Sequence, residues 1–370
     1  MPFVFSDRLI PMVGIGKRLF IPLLMSQVIP LSFGGERSDA ALDAALDAVA
    51  PELTKLAVVC LVRDGENGAP CFDWIEYRDT ADRKDFWPAS TVKLYAVIAA
   101  MERVREAGFD LDVTATYEHR EADGKWVLDS SRTLRELSSE VFRRSSNEDY
   151  TLLLRLVGID WLNTKFLTAE RGFPNSALMR GYVRTRPWVY EREEAQRIRL
   201  TSHDGSRSVV IEHTWSGRSH SEERGCTVID AKTGNVTTPR ELADCLRRVL
   251  FHEHLPESER FRISDEQLRF LREGGGGLSG LATVAAESGP SGWTGAAGEV
   301  FPKAKYFHKS GLISDHALEL GYVDDSGNGG PRYFFVPVIG AGHATKPVDG
   351  ETLVGRMSLE IAQWVKALTE

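Results

Sequence analysis

The chain has 370 residues, 42% hydrophobic and 26% charged, with a formal net charge of −8. These are the proportions of a soluble globular protein and exclude a disordered, collagenous or polytopic membrane chain. The acidic balance argues against a nucleic-acid partner, which needs a basic stripe, and four cysteines are too few for a disulfide scaffold.

At the N-terminus Lys17 and Arg18 precede an apolar run from Leu19 to Phe33, broken by Pro22, Ser26, Gln27 and Pro30. The run is too short and interrupted to span a bilayer. With the small-x-small triplet Ser32-Phe33-Gly34 it reads as a secretory signal over residues 1–34, with Met12 the more natural start. The competing reading is a buried N-terminal element. Export places the mature chain in the periplasm or outside a bacterial cell. No Cys follows the run closely, so no stable membrane anchor is expected.

Asp39 to Lys55 carries Leu42, Ala45, Leu46, Val49 and Leu53 at helical spacing. The apolar run Leu56–Val62 then suits a buried strand, and after the turn residues 64–68 the segment 71–79 alternates as a second strand. Cys60 and Cys71 fall on the two arms of this hairpin, where they are either cross-strand partners able to pair after export or two buried free thiols. Helical patterns dominate from Ser90 to Thr168 and from Thr238 to Arg272. Strand patterns return at 304–309, 317–323 and 333–339, and a last helix covers 351–368.

Strands at both ends flanking a helical middle predict an α+β fold. An antiparallel sheet, built from residues 39–84 and 290–370 and flanked by terminal helices, receives an inserted all-helical lobe at 85–289. The polar stretch 191–234 reads as an insertion. Within it Asp204-Gly205 sits between alternating runs and predicts a hairpin, either a lid on the site or a surface decoration. His203, His213, His220, His252 and His254 have no metal-ligand spacing, so no metal or other cofactor is expected. Gly274–Gly277 lacks the Lys-Ser/Thr ending of a phosphate-binding loop and reads as a flexible connection.

Three short motifs carry chemistry. Ser90-Thr91-Val92-Lys93 opens a helix, so the serine hydroxyl and the lysine amine share one face. A serine needs a neighbouring base to be a nucleophile, and a buried lysine near a second cation loses its proton readily enough to be one. Ser145-Ser146-Asn147 precedes an apolar helical run. His308-Lys309-Ser310-Gly311 ends a strand. Each triplet alone is weak; their order and their element types together are specific.

On these residues the chain resembles class A β-lactamases and the wider penicillin-binding serine hydrolases. The likeness extends to residues 132–158, to Asn235-Val236-Thr237-Thr238-Pro239, and to 266–274, covering most of Asp39–Glu370. It implies a β-lactamase/transpeptidase-like fold and a monomer whose substrate is a small-molecule β-lactam or a peptidoglycan-like peptide. Ser90 is then the acylated nucleophile and Lys93 its base. Ser145 relays a proton to the leaving nitrogen, and Asn147 holds Lys93 and the substrate amide. Lys309, Ser310 and Gly311 bind the substrate carboxylate side, and the backbone N–H groups of Ser90 and Leu312 form the oxyanion hole.

Two departures stand out. Ser146 replaces the family's Asp, a change expected to affect stability more than chemistry. The Glu-x-x-Leu-Asn segment that activates the deacylating water does not occur; Glu170 precedes its expected place, and Glu191, Glu193 and Glu194 follow it. Glu191, after Trp188, is the candidate for that role. Three functions therefore compete: a β-lactamase, a penicillin-binding peptidase or other amide/ester hydrolase with slow deacylation, and a non-catalytic binding protein.

Overall fold

The apolar run after the first helix is buried on both faces, so it must be a central strand. In the computed structural model, which describes residues 37–183, 192–228, 230–283, 294–342 and 349–370, the strands are β1 (Arg37–Ser38), β2 (Lys55–Asp64), β3 (Pro70–Glu76), β4 (Thr114–Arg120), β5 (Trp126–Thr133), β6 (Gln196–Thr201), β7 (Ser208–His213), β8 (Ala282–Thr283), β9 (Lys305–Leu312), β10 (Ala317–Asp324) and β11 (Arg332–Ile339). The main helices are α1 (Ala40–Asp47), α2 (Lys93–Glu106), α3 (Leu134–Arg143), α4 (Asn147–Val157), α5 (Pro239–Leu250), α6 (Asp265–Glu273), α7 (Thr294–Val300) and α8 (Gly350–Thr369).

Seven strands form the main sheet in the order β1-β3-β2-β11-β10-β9-β8, antiparallel except for β1 on β3. Both chain ends thus share one sheet, as expected. Strand β2 divides its side chains by the two-residue period. Leu56, Val58, Cys60 and Val62 face the core under α2, whereas Ala57, Val59 and Leu61 face the core covered by α1 and α8. Val354, Met357, Ile361 and Val365 seal that second face from α8. Helix α2 is buried almost all round, as a helix through the centre of a core must be.

The α+β class stands, but the inserted lobe is not all-helical. It holds a second antiparallel sheet, ordered β5-β4-β6-β7. The β4–β5 hairpin turns at Asp123-Gly124, with Gly124 at φ +86°. Its cue resembles that of the 191–234 hairpin, which does form as β6–β7 across Asp204-Gly205. That hairpin continues the sheet by pairing with β4. The His213 ring bonds the Arg155 carbonyl near the C-terminal end of α4, roughly 12 Å along the helix from Asn147.

Three further expectations are corrected. The first helix stops at Asp47, because Pro51 cannot continue it and Ala50 turns to φ +43°. Cys60 pairs with Trp74 across β2–β3 and is buried, while Cys71 lies opposite Arg63 and is exposed, so register separates the two thiols. Gly274–Gly277 makes a tight turn closed by the Gly275–Leu278 bridge, with Gly274, Gly276 and Gly277 left-handed. The proposed signal at 1–34 lies outside the described residues. None of the described helices is long and apolar enough to cross a membrane.

Candidate active site

The first motif is presented by a strained turn. Ala89 adopts φ +44°, uncommon for a residue with a side chain. The tight turn Ala89–Val92 follows, its Thr91 amide and hydroxyl both donating to the Pro88 carbonyl. Ser90 sits half-buried on this turn, and Lys93 opens α2. Strand β9 approaches so closely that a Cβ at Gly311 would lie 3.0 Å from the Pro88 carbonyl oxygen and 2.9 Å from Leu318. Glycine is needed there to let the third motif touch the first.

The second motif joins α3 to α4. Ser145 is left-handed at φ +54°. Ser146 caps α4, accepting from the Asp149 N–H and donating to the Asp149 carboxylate. The Asp-to-Ser departure thus leaves a working cap whose acid has moved to Asp149. Asn147 is the first residue of α4, and its side-chain oxygen accepts from Lys93 Nζ at 2.7 Å.

The three motifs meet at Ser145. Lys93 Nζ donates to the Ser145 carbonyl and reaches Ser145 Oγ at 3.2 Å. Lys309 Nζ reaches the same Oγ at 2.9 Å and donates to the Ser310 carbonyl at 2.9 Å. One hydroxyl therefore bridges two amines. Burial, reinforced by the Lys309 charge, pulls the Lys93 amine down to about 6, although Glu148 and Asp149 oppose the shift. Lys309 is pulled down to about 8 by burial, opposed by Glu319. Near neutrality the first amine is thus a free base while the second is still mostly charged. Leu312 ends the strand, half exposed.

Tyr150, Tyr182 and Asn235 were not selected from sequence as site residues. The Lys93 amine lies 5.7 Å from the ring centroids of both Tyr150 and Tyr182. Tyr182 donates its hydroxyl to the Ala89 carbonyl at 2.7 Å. The Asn235 amide donates to both tyrosine hydroxyls, 3.2 Å and 3.0 Å away. The Asn-Val-Thr-Thr-Pro string marked Asn235, but tyrosines carry no comparable pattern.

Glu191 lies outside the described residues. Glu170 is exposed on a single turn, Glu193 is exposed, and Glu194 accepts from Gln196. Among the described residues, the hydrogen-bond partners of Lys93 are Ser145 and Asn147, neither of them a carboxylate. No group of three or more His, Cys, Asp or Glu among them is arranged to hold a metal.

A profile described as the beta-lactamase enzyme family matches residues 76–365. The chain belongs to the beta-lactamase enzyme family. Among solved structures, PBP-A aligns with a TM-score of 0.55 and 17% identity, covering 91% of this chain and all of that one. A beta-lactamase from Sphaerobacter thermophilus DSM 20745 aligns at 0.51 and 17%, covering 88% and 97%. A class A beta-lactamase from Mycobacterium abscessus aligns at 0.51 and 15%, covering 87% and 98%. At such identities the likeness is one of fold. No curated relative matches the sequence. In this member of the family all three motifs join in one cluster, and paired tyrosine rings flank the Lys93 amine.

Proposed function

We propose that this protein is a β-lactamase-type serine hydrolase that opens the amide bond of β-lactams through an acyl-enzyme on Ser90. The observation that carries this reading is the buried Lys93 amine, held by Ser145 and Asn147 within reach of a second amine and, among the described residues, bonded to no carboxylate. Free at neutral pH, Lys93 takes the Ser90 proton as Oγ attacks the lactam carbonyl carbon. The oxyanion is received by the N–H groups of Ser90 and Leu312, each donor lowering the barrier by about 3 kcal/mol. As the ring C–N bond breaks, Ser145 Oγ gives its proton to the departing nitrogen. The Lys93 ammonium then reprotonates Ser145. Lys309 and Ser310 hold the substrate carboxylate, a local cationic patch on an acidic protein.

A second reading is a penicillin-binding peptidase in which the acyl-enzyme persists. It is favoured by the tyrosine rings on Lys93 and the lack of a carboxylate bonded to that amine among the described residues. PBP-A, of which a single-residue variant was solved as an acyl-enzyme complex with penicillin G, has the same fold. Export to the periplasm or beyond, and Glu191 as deacylating base, belong to the first reading. Intact mass after mixing with a penicillin, alongside turnover of a chromogenic cephalosporin, separates them. Turnover without a lasting adduct supports the β-lactamase, and a persistent adduct on Ser90 supports the peptidase. Neither adduct nor turnover from folded protein would sink both.

A further inference from the structure

Tyr182 lies beside the nucleophile and its base yet belongs to none of the three motifs. The backbone that carries it is pressed onto α4. A Cβ at Gly181 would lie 2.7 Å from Thr151 Oγ1 and 2.9 Å from Thr151 Cγ2, and the Tyr182 N–H donates to Thr151 Oγ1 at 3.2 Å. From the other side Asn235, 1% exposed, accepts from the Met179 and Arg180 N–H groups at 2.8 Å and 3.2 Å. The side chain is therefore aimed, not loosely placed. Its hydroxyl reaches the carbonyl of Ala89, the left-handed residue immediately before Ser90. Its ring packs on Tyr150 with centroids 4.9 Å apart, and both rings flank the Lys93 amine.

We propose that Tyr182 is a positioning residue for acylation: its hydroxyl fixes the strained peptide that presents Ser90, and its ring, paired with Tyr150, walls the Lys93 amine off from water. This rests on the acylation reading above. The ring faces could favour an ammonium through cation–π attraction, but removal of water from the amine opposes the charge more strongly. Among the described residues, the charged and titratable groups facing Lys93 are Lys309 from β9, Glu148, Asp149 and Tyr150 from α4, and Tyr182 itself. The same wall occupies one flank of the base, so an approaching water must come from another side.

The two functions separate by substitution in the full chain. Tyr182→Phe keeps the ring and leaves the Ala89 carbonyl without its donor. Its acylation by a fluorescent penicillin should slow about tenfold, the worth of one hydrogen bond, with the pH midpoint unmoved. Tyr182→Ala admits water to the amine, so the acid limb of the acylation profile should move up by about one pH unit or more. Carbon NMR of protein labelled at lysine Cε, with Lys93→Arg as the assignment control, reads the same titration without any substrate. If Tyr182→Ala does not fold, Tyr182→Leu replaces it. An unmoved Lys93 titration in the folded ring-less variant, or unchanged acylation in Tyr182→Phe, overturns the proposal. A wild type that no penicillin acylates removes the acylation reading instead, and the NMR titration still decides whether Tyr182 shields Lys93.

Discussion

A lysine kept neutral inside a folded protein must cost stability, and the cost has a definite pH signature. Lys93 is fully buried, and its amine is pulled from an ordinary 10.5 to about 6. Below pH 6 the folded and unfolded chains both carry its proton, and the whole penalty is present. Between pH 6 and 10.5 the unfolded state holds one proton more, so stability rises by about 1.4 kcal/mol per pH unit; above 10.5 the penalty is gone. From pH 6.5 to 8.5 the gain is about 2–3 kcal/mol. In Lys93→Met that slope disappears while the Lys309 contribution remains in both proteins. The variant also escapes a penalty of about 5 kcal/mol at pH 7. Against this, the unsatisfied Ser145 and Asn147 oxygens cost about 1–3 kcal/mol each. The net stabilisation is therefore smaller than 5 kcal/mol, and the slope is the cleaner observable. The assay is urea unfolding of both proteins at half-unit pH steps, with m-values checked for constancy. Acylation should be absent from the variant throughout. Parallel stability curves for the two proteins between pH 6.5 and 8.5 would refute a neutral Lys93 and with it the base assigned to Ser90.

Acylation of the wild type should follow a bell in pH, rising through about 6 as Lys93 becomes free and falling through about 8 as Lys309 discharges; stopped-flow acylation that is flat from pH 5 to 9 contradicts the assignment. Gly311→Ala should cut acylation at least tenfold with little loss of secondary structure, because its Cβ forces β9 away from the Pro88 carbonyl; full activity in that variant means the contact yields without consequence. Ser146→Ala removes the α4 cap and should lower stability by about 1 kcal/mol, visible as a lower urea midpoint at unchanged m-value. In native protein an aromatic disulfide reagent should titrate Cys71 quickly. Cys60, buried and pushed far up in pKa by that burial, should react only on unfolding. Equal protection of both thiols is the contrary result.

Much of the fold was legible because its signals are local or periodic. Strand β2 and helix α8 follow from apolar runs and spacing, and the β6–β7 hairpin follows from Asp204-Gly205. The β4–β5 hairpin carried the same Asp-Gly cue at 123–124 but lay inside a long helical stretch, where the surrounding pattern masked it. The cysteines show the limit of hairpin reasoning. Placing both on one hairpin was correct, yet register, fixed by burial of alternate side chains, put Cys60 opposite Trp74.

The sequence by itself determined which residues are the candidates for the chemistry: Ser90 and Lys93 one helical turn apart, Ser145 and Asn147 at a helix start, and Lys309 with Gly311 on a strand. Spacing along one element is enough for that. What surrounds the Lys93 amine was decided only by tertiary structure. Tyr182 reaches Ala89 across 93 residues of chain, and Asn235 reaches Tyr182 across 53. No local period encodes such contacts; they arise from the way segments distant in sequence pack around a buried amine. The protonation of that amine follows from the same closure, because its charge is governed by the water and neighbours that packing removes or supplies.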